Sequence, residues 1–213
     1  MKKFFCIAFS LLIVTGAFAA GDSDGGWISL FDGKSLDGWK VSEDHPDSFR
    51  VEDGQIVANG ARAHLFYEGP VENHNFKNFI LKADVMTTKG SNSGLYIHTK
   101  YQKDDWPNYG YECQVNNTQG DPQKTAGIYD TVKVLEAPAK DNEWFEYTII
   151  VKGKTIETQI NGKTCAKYDE KDKAELDHRS RGTDLSSGTF AIQAHDPNSK
   201  VFYKNIRVKV LPD

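Results

Sequence analysis

A strand pattern is clearest in the segment Phe145-Glu146-Tyr147-Thr148-Ile149-Ile150-Val151-Lys152-Gly153-Lys154-Thr155-Ile156-Glu157-Thr158-Gln159-Ile160-Asn161-Gly162. Aromatic and β-branched residues recur at alternate positions on both sides of Gly153-Lys154, which is the period of a half-buried strand. Gly153-Lys154 and Asn161-Gly162 have the composition of tight hairpin turns, because glycine and asparagine accept positive φ. The segment therefore predicts two or three consecutive antiparallel strands.

The same pattern recurs along most of the chain. A hairpin is predicted over residues 49–57, where Asp53-Gly54 separates two apolar runs. Further strands are predicted at 79–87, 94–101, 109–116, 189–195 and 201–210. Residues 170–181 are rich in charge and have no apolar stripe, which favours a solvated loop or one short helix. About ten short strands predict an all-β fold, with two antiparallel sheets packed face to face as a jelly-roll sandwich.

The N-terminus has the pattern of an export signal. Lys2-Lys3 precede an apolar run over residues 4–18, and Ala17-Phe18-Ala19 is an A-x-A cleavage site. We expect a signal peptide over 1–19, a flexible leader over 20–26 and a single catalytic domain over 27–213. No later stretch approaches the ~20 apolar residues that a membrane span needs. The mature protein is therefore expected to be exported by a bacterium, to the periplasm or the medium, and to have no membrane partner.

Charge and cysteine content disfavour a nucleic-acid-binding protein and a disulfide-stabilised domain. The whole chain has a net charge of −4 at pH 7, and the signal carries two of its lysines, so a nucleic-acid partner is not expected. Cys113 and Cys165 are predicted to be free thiols, because a domain of this size buries enough apolar surface to fold without a disulfide.

Three predicted strands place polar side chains on the face opposite the core. Alternation puts Tyr111, Cys113 and Val115 on the core side of one strand. The other side of that strand then carries Glu112, Gln114 and Asn116. Such a row is either an ordinary solvent face or the lining of a wet cleft, because buried polar groups are costly without partners.

Two neighbouring strands show the same arrangement. Asn92-Ser93-Gly94 resembles a turn that enters a strand on which Tyr96 and His98 share the non-core face. Near the C-terminus, Gln193 and His195 lie opposite an apolar row formed by Phe190, Ile192 and Ala194. A lone histidine is usually structural, but three polar rows together indicate a cleft.

The loop over residues 101–109 contains Trp106-Pro107 beside several acids. An aromatic ring in such a loop is either a platform for a sugar or a plug that closes the end of the sandwich. Three other large aromatic residues, Phe31, Trp39 and Trp144, are assigned to the core or its lid.

The predicted cleft contains one clear acid. Glycoside hydrolysis by the usual route needs two carboxylates beside the scissile bond. Sandwich-fold glucanases place Glu, Asp and Glu at alternate positions of one strand, whereas this chain has Glu112, Gln114 and Asn116. A second acid would have to come from Asp104 or Asp105.

Several motifs together resemble one bacterial family. The motifs are residues 30–39 (Leu-Phe-Asp-Gly-Lys-Ser-Leu-Asp-Gly-Trp), 92–96 (Asn-Ser-Gly-Leu-Tyr), 110–114 (Gly-Tyr-Glu-Cys-Gln), 126–129 (Ala-Gly-Ile-Tyr), Glu143-Trp144, Asn161-Gly162 and 201–206 (Val-Phe-Tyr-Lys-Asn-Ile). In order and spacing they are similar to the 3-keto-disaccharide hydrolase family, over nearly the whole mature chain. The resemblance implies a concanavalin-like jelly-roll. It also implies cleavage of glycosides oxidised at C3, through a 1,2-lyase step and hydration of the 2-hydroxy-glucal product.

The resemblance suggests roles for the polar residues. A ketone at C3 acidifies the C2 proton, so a single base can start the elimination, and Glu112 is the candidate. Donors for the enolate oxygen are sought among Gln114, Gln193, His98, His195 and Lys204, or a bound divalent metal; no other cofactor is expected. The expected contacts with a glycoside or oligosaccharide substrate are Asn92, Ser93, Tyr96, His98, Trp106, Gln193 and Lys204. Family members typically carry Arg at position 98, Asn at 145 and Arg at 204.

Two other functions remain open from the sequence. A non-catalytic carbohydrate-binding module fits a lectin-like sandwich with one acid, and a two-carboxylate hydrolase fits if residue 104 or 105 completes the pair. The residue at position 112 distinguishes the binding module from the lyase. A binding module would tolerate Gln at this position, whereas a lyase that uses this residue as its general base would not.

Overall fold

The computed structural model describes residues 25–170 and 185–213, and β-strands dominate this part of the chain. Its strands are β1 Ile28–Ser29, β2 Trp39–Val41, β3 Phe49–Glu52, β4 Gln55–Ala58, β5 Ala63–Tyr67, β6 Phe79–Thr87, β7 Asn92–Thr99, β8 Tyr111–Asn116, β9 Phe145–Lys152, β10 Thr155–Ile160, β11 Lys163–Asp169, β12 Thr189–Ala194 and β13 Val201–Val210. Two short 3₁₀ segments, Pro46–Ser48 and Val71–His74, lie in the connections.

The strands form two antiparallel sheets. The larger has the order β11-β10-β9-β6-β13-β4-β3, with β1 also paired to β13. The smaller sheet has five strands in the order β2-β5-β12-β7-β8. The predicted all-β sandwich is therefore confirmed.

Two-residue turns set the register of the predicted hairpins. Asp53 and Gly54 join β3 to β4 with φ of 50° and 77°, and Asn161 and Gly162 join β10 to β11 with φ of 50° and 76°. Positive φ at both central positions is the requirement of a type I′ turn, whose twist matches that of the flanking strands. The turn residues therefore determine which partners face each other on these strands.

The hydrophobic core lies between the two sheets. On β6 the buried side chains alternate as Phe79, Leu81, Ala83 and Val85, and the smaller sheet supplies a facing set that includes Leu95, Cys113 and Ile192. Burial of each large apolar side chain contributes roughly 1.5–3 kcal/mol. Cys113 and Cys165 are free, as predicted. Burial raises the pKa of the Cys113 thiol, so this cysteine is a packing residue and not a nucleophile.

Some elements differ from the sequence expectation. Phe31 and Trp39 are in the core as predicted, but Trp144 is 37% exposed because it lies on the outer side of the larger sheet, where Lys204 covers it at 3.9 Å. Residues 92–94 are not a turn, since β7 begins at Asn92. β5 was not predicted, because it is buried at every position and shows no alternation.

The predictions for residues 1–24 and 171–181 lie outside the described part of the chain. Within that part, Gly25 and Gly26 form a turn, and Glu170 is a buried anchor that accepts a hydrogen bond from Tyr111 Oη at 2.8 Å. No helix among the described residues has the length and apolar character needed to cross a membrane.

Candidate active site

The outward side of the smaller sheet is unusually polar. Cross-strand pairing brings Gln193 beside His64, Tyr96 beside Glu112 and Gly94 beside Gln114. Asn92, Asn116 and His195 belong to the same side by strand alternation. We call this surface of β5, β12, β7 and β8 the polar face. It brings together, as the sequence predicted, Glu112, Gln114, Asn92, Tyr96, Gln193 and His195.

Glu112 is the centre of the polar face. Tyr96 Oη donates a hydrogen bond to Glu112 Oε2 at 2.8 Å, and Gln193 Nε2 donates to Glu112 Oε1 at 2.9 Å. Gln193 Nε2 also lies 3.2 Å from Tyr96 Oη, so the three side chains form one network. Hydrogen bonds to a charged group contribute about 1.5–3 kcal/mol each, which holds the half-buried carboxylate in one position.

Gly94 provides the space for that carboxylate. A β-carbon at position 94 would lie 2.6 Å from Glu112 Oε1 and 2.9 Å from Glu112 Cγ. Glu112 therefore extends across β7 to reach Gln193 on β12 only because position 94 has no side chain. With its amide nitrogen turned toward Glu112, Gln114 donates a further hydrogen bond to Oε1 at 3.1 Å.

Most of the amides on the polar face are buried. Asn92, Gln114, Asn116 and Gln193 are each no more than 2% exposed. Asn116 is committed to structure, because its Nδ2 donates to the backbone oxygens of Asp121 and Gln123. Gln193 Oε1, in contrast, is buried without a hydrogen-bond partner among the described residues. A buried acceptor without a partner costs about 1–3 kcal/mol, and a substrate hydroxyl would satisfy it.

His64 is a site residue that the sequence analysis missed. It is fully buried on β5, and its ring lies 5.4 Å from that of Tyr96 and 5.7 Å from that of Trp106. Burial lowers its pKa to about 3, so the imidazole is neutral at physiological pH. Within the described residues neither ring nitrogen has a hydrogen-bond partner. In the sequence, His64 interrupts the apolar run of residues 63–67. Because apolar and polar residues do not alternate in this run, the pattern does not show which face of the sheet His64 occupies.

Trp106 covers this end of the polar face. Its ring packs against His64 and, at 5.5 Å, against His195. Arg62 holds the loop in place through a 2.9 Å ion pair with Asp105, whose Oδ1 also accepts the Trp106 backbone N–H at 2.8 Å. The structure therefore places Trp106 next to the polar face. Asp105 is paired with Arg62, and this pairing disfavours it as the second acid of a hydrolase.

The structure places three of the predicted substrate contacts away from the polar face. Ser93 faces the core, where its Oγ lies 2.6 Å from Tyr203 Oη, because it alternates with Asn92 and Gly94. His98 has a φ of 52° at a bulge where β7 and β12 shift register, and this turns its ring toward Phe79 of the larger sheet. Lys204 lies on the outer side of the other sheet.

A second polar region lies at the other end of the smaller sheet. A cavity of about 290 Å³ is lined by residues that include Glu68, His74, Lys100 and Thr189. Tyr101 also lines this cavity, and its ring meets that of Phe66 edge-on, with ring centroids 5.4 Å apart. Neither region offers a metal site in the part of the chain that the structure describes, because no three His, Cys, Asp or Glu side chains cluster there.

Two solved structures have a fold similar to that of this chain. The chain resembles a candidate glycosyl hydrolase from Parabacteroides distasonis with a TM-score of 0.74 and 25% identity, covering 88% of this chain and 94% of that one. A Bacillus subtilis protein with a galectin-like fold matches with a TM-score of 0.55 and 12% identity over 82% of this chain and 90% of that one, which shows the fold alone. Fold and site together define a β-sandwich enzyme that acts on glycosides.

The particular family follows from sequence comparison. The profile of the 3-keto-alpha-glucoside-1,2-lyase-like domain matches residues 26–209, and the chain belongs to this family. The 3-keto-disaccharide hydrolase of Bacteroides thetaiotaomicron is 28% identical over 234 aligned positions, which cover 89% of this chain and 80% of that protein. The resemblance stated from the sequence motifs is confirmed.

Proposed function

We propose that this protein cleaves 3-keto glycosides by 1,2-elimination, with Glu112 as the general base that removes the proton at C2. The observation that carries the proposal is the position of Glu112. It is the only acidic residue on the five strands of the smaller sheet as described, and its carboxylate is held by Tyr96 and Gln193. An elimination from a 3-keto sugar needs one base, whereas the usual hydrolysis needs two carboxylates.

The proposed reaction is an elimination followed by hydration. Glu112 takes the C2 proton, and the electrons of the C2–H bond form an enolate with the C3 ketone. The enolate then expels the oxygen substituent at C1, which leaves a C1–C2 double bond and a 2-hydroxy-glucal. Addition of water to that double bond completes the hydrolysis.

The amides of the polar face suit the negative charge that develops during this reaction. Gln114 and Gln193 direct N–H groups toward the Glu112 carboxylate, so with the Tyr96 hydroxyl they are donors close to an enolate formed beside it. Gln193 Oε1 is a buried acceptor without a partner among the described residues, and a hydrogen bond from a sugar hydroxyl would satisfy it. These groups are fixed by the sheet before the substrate arrives, which is the condition under which donors stabilise a transition state most effectively.

The test compares a 3-keto glucoside with the unoxidised glucoside. We expect release of the aglycone from the ketone alone, and loss of a deuterium placed at C2. Glu112→Gln preserves size and hydrogen-bonding reach but removes basicity, so turnover should fall by about 10²–10⁴-fold while binding changes little.

A matched control for this test is Glu136→Gln, which makes the same change at an exposed position. It should retain the wild-type rate. Near-normal turnover by Glu112→Gln, or full retention of C2 deuterium in ordinary water, would reject the base assignment. Sugar binding by a wild-type protein that cleaves neither glucoside would favour the binding-module function instead.

We also propose that the protein is exported. Support comes from the N-terminal sequence, in which Lys2-Lys3, an apolar run and Ala17-Phe18-Ala19 have the order of a cleavable signal. An exported location would place the domain where glycosides from outside the cell are encountered.

A further inference from the structure

A second acid–base group lies on the polar face beside the Glu112 network. His195 immediately follows β12 and is two residues beyond Gln193, so the two Cα atoms are separated by about 7 Å in an extended chain. Both His64 and His195 pack against the ring of Trp106, which places His195 on the same side of the sheet as His64 and Gln193.

Asp196 fixes the orientation and tautomer of this imidazole. His195 Nδ1 lies 2.8 Å from Asp196 Oδ2. Asp196 is itself held by Ser199 Oγ at 2.8 Å and by the backbone N–H of Asn198 at 2.8 Å. Partial burial raises the pKa of Asp196, but these hydrogen bonds and the one from His195 outweigh it and hold that pKa below its usual range. The ionised carboxylate accepts the Nδ1 proton, as in other carboxylate–imidazole pairs.

The other ring nitrogen is left for a ligand. No described residue hydrogen-bonds His195 Nε2, and the side chain is 30% exposed. The histidine is therefore partly accessible, oriented from behind by a carboxylate, and about 7 Å along the strand from the residue that contacts the base. A partly exposed imidazole that a carboxylate orients suits general acid catalysis.

We propose that His195, positioned by Asp196, is the general acid that protonates the departing oxygen at C1; this inference rests on the proposed function of Glu112. In the elimination step Glu112 gains the C2 proton, and the C1–O bond breaks with its electron pair on oxygen. The imidazolium Nε2 gives its proton to that oxygen, so the aglycone leaves as a neutral alcohol. In the hydration step the neutral imidazole takes a proton from the water that adds at C1, and Glu112 returns its proton to C2.

A comparison of leaving groups tests this role directly. An alkyl aglycone needs protonation in order to leave, whereas a nitrophenyl aglycone leaves readily as the anion. For His195→Asn we expect a loss of about 10²–10⁴-fold in turnover of the 3-keto alkyl glucoside, and a loss of less than about tenfold for the 3-keto nitrophenyl glucoside. Asp196→Asn should show the same selectivity with a smaller loss. Glu112→Gln should slow both substrates equally, because both need C2 deprotonation.

His45→Asn is the matched control, because His45 is an exposed histidine outside the site. It should leave both rates unchanged. If His195→Asn does not fold, as judged by circular dichroism and thermal melting, Asp196→Asn provides the same comparison. Equal losses on both substrates, or no loss on either, would overturn the role of His195 while leaving Glu112 as the base. Failure of the wild-type protein to cleave either 3-keto glucoside would instead overturn the proposed function, and this inference with it.

Discussion

Replacement of Gly94 by Ala is expected to displace the Glu112 carboxylate without unfolding the protein. The new β-carbon would lie 2.6 Å from Glu112 Oε1, and since ordinary contacts begin near 3.4 Å, the carboxylate must move by about 0.8 Å. Displacement of a catalytic group by ~1 Å can lower a rate by about 10²-fold, equivalent to ~2.7 kcal/mol of transition-state stabilisation. Gly94 does not have positive φ, so the backbone accepts Ala. We expect the free energy of unfolding to change by less than ~2 kcal/mol.

The assay is kcat/KM on a 3-keto glucoside, together with urea unfolding. Gly120→Ala is the matched control, because a β-carbon there has no heavy atom within 4 Å and the residue lacks positive φ. Since Gly94 is expected to act through Glu112, adding Gly94→Ala to Glu112→Gln should cost little further activity. Wild-type activity in Gly94→Ala would refute the reasoning that this carboxylate position controls turnover. Additive losses in the double variant would show that Gly94 acts by another route.

Three further expectations concern stability and processing. His64→Phe should raise the free energy of unfolding at neutral pH by about 1–3 kcal/mol, because it removes a buried imidazole without partners; a less stable variant in urea unfolding would contradict this. Burial lowers the pKa of His64 to about 3 in the folded state, whereas the histidine of the unfolded chain gains its proton near pH 6.5. The free energy of unfolding of the wild type should therefore fall as the pH decreases from about 6.5 toward 3, and His64→Phe should lack this part of the pH dependence. Exported protein should begin at Ala20 and carry two alkylatable thiols, Cys113 and Cys165, after unfolding. Mass spectrometry that shows an intact N-terminus would contradict the expected cleavage. A mass two units lower, with no alkylatable thiol, would contradict the expected free cysteines.

Local regularity along the strands makes part of the site predictable from the sequence. The alternation on β8 correctly separated Glu112 from Cys113, and that on β12 separated Gln193 from Ile192. Each assignment required only that a strand be extended, which turns successive side chains to opposite sides. Such inferences fail where the chain departs from an ideal strand. His98 was misplaced because one residue with positive φ reverses the faces beyond it.

The sequence by itself determined most of the strands, the tight turns, the family and the presence of one acidic residue, Glu112, in the predicted polar rows. These features depend on residues that are close together along the chain. Only the tertiary structure decided which polar residues meet. Lys204 was excluded because β13 belongs to the other sheet, and His64 was included because β5 pairs with β12. Glu112 reaches Gln193, 81 residues away, only because an intervening strand presents a glycine between them. Strand order and cross-strand register arise from burying both sheets against one core, and a pattern read along one strand does not contain that information.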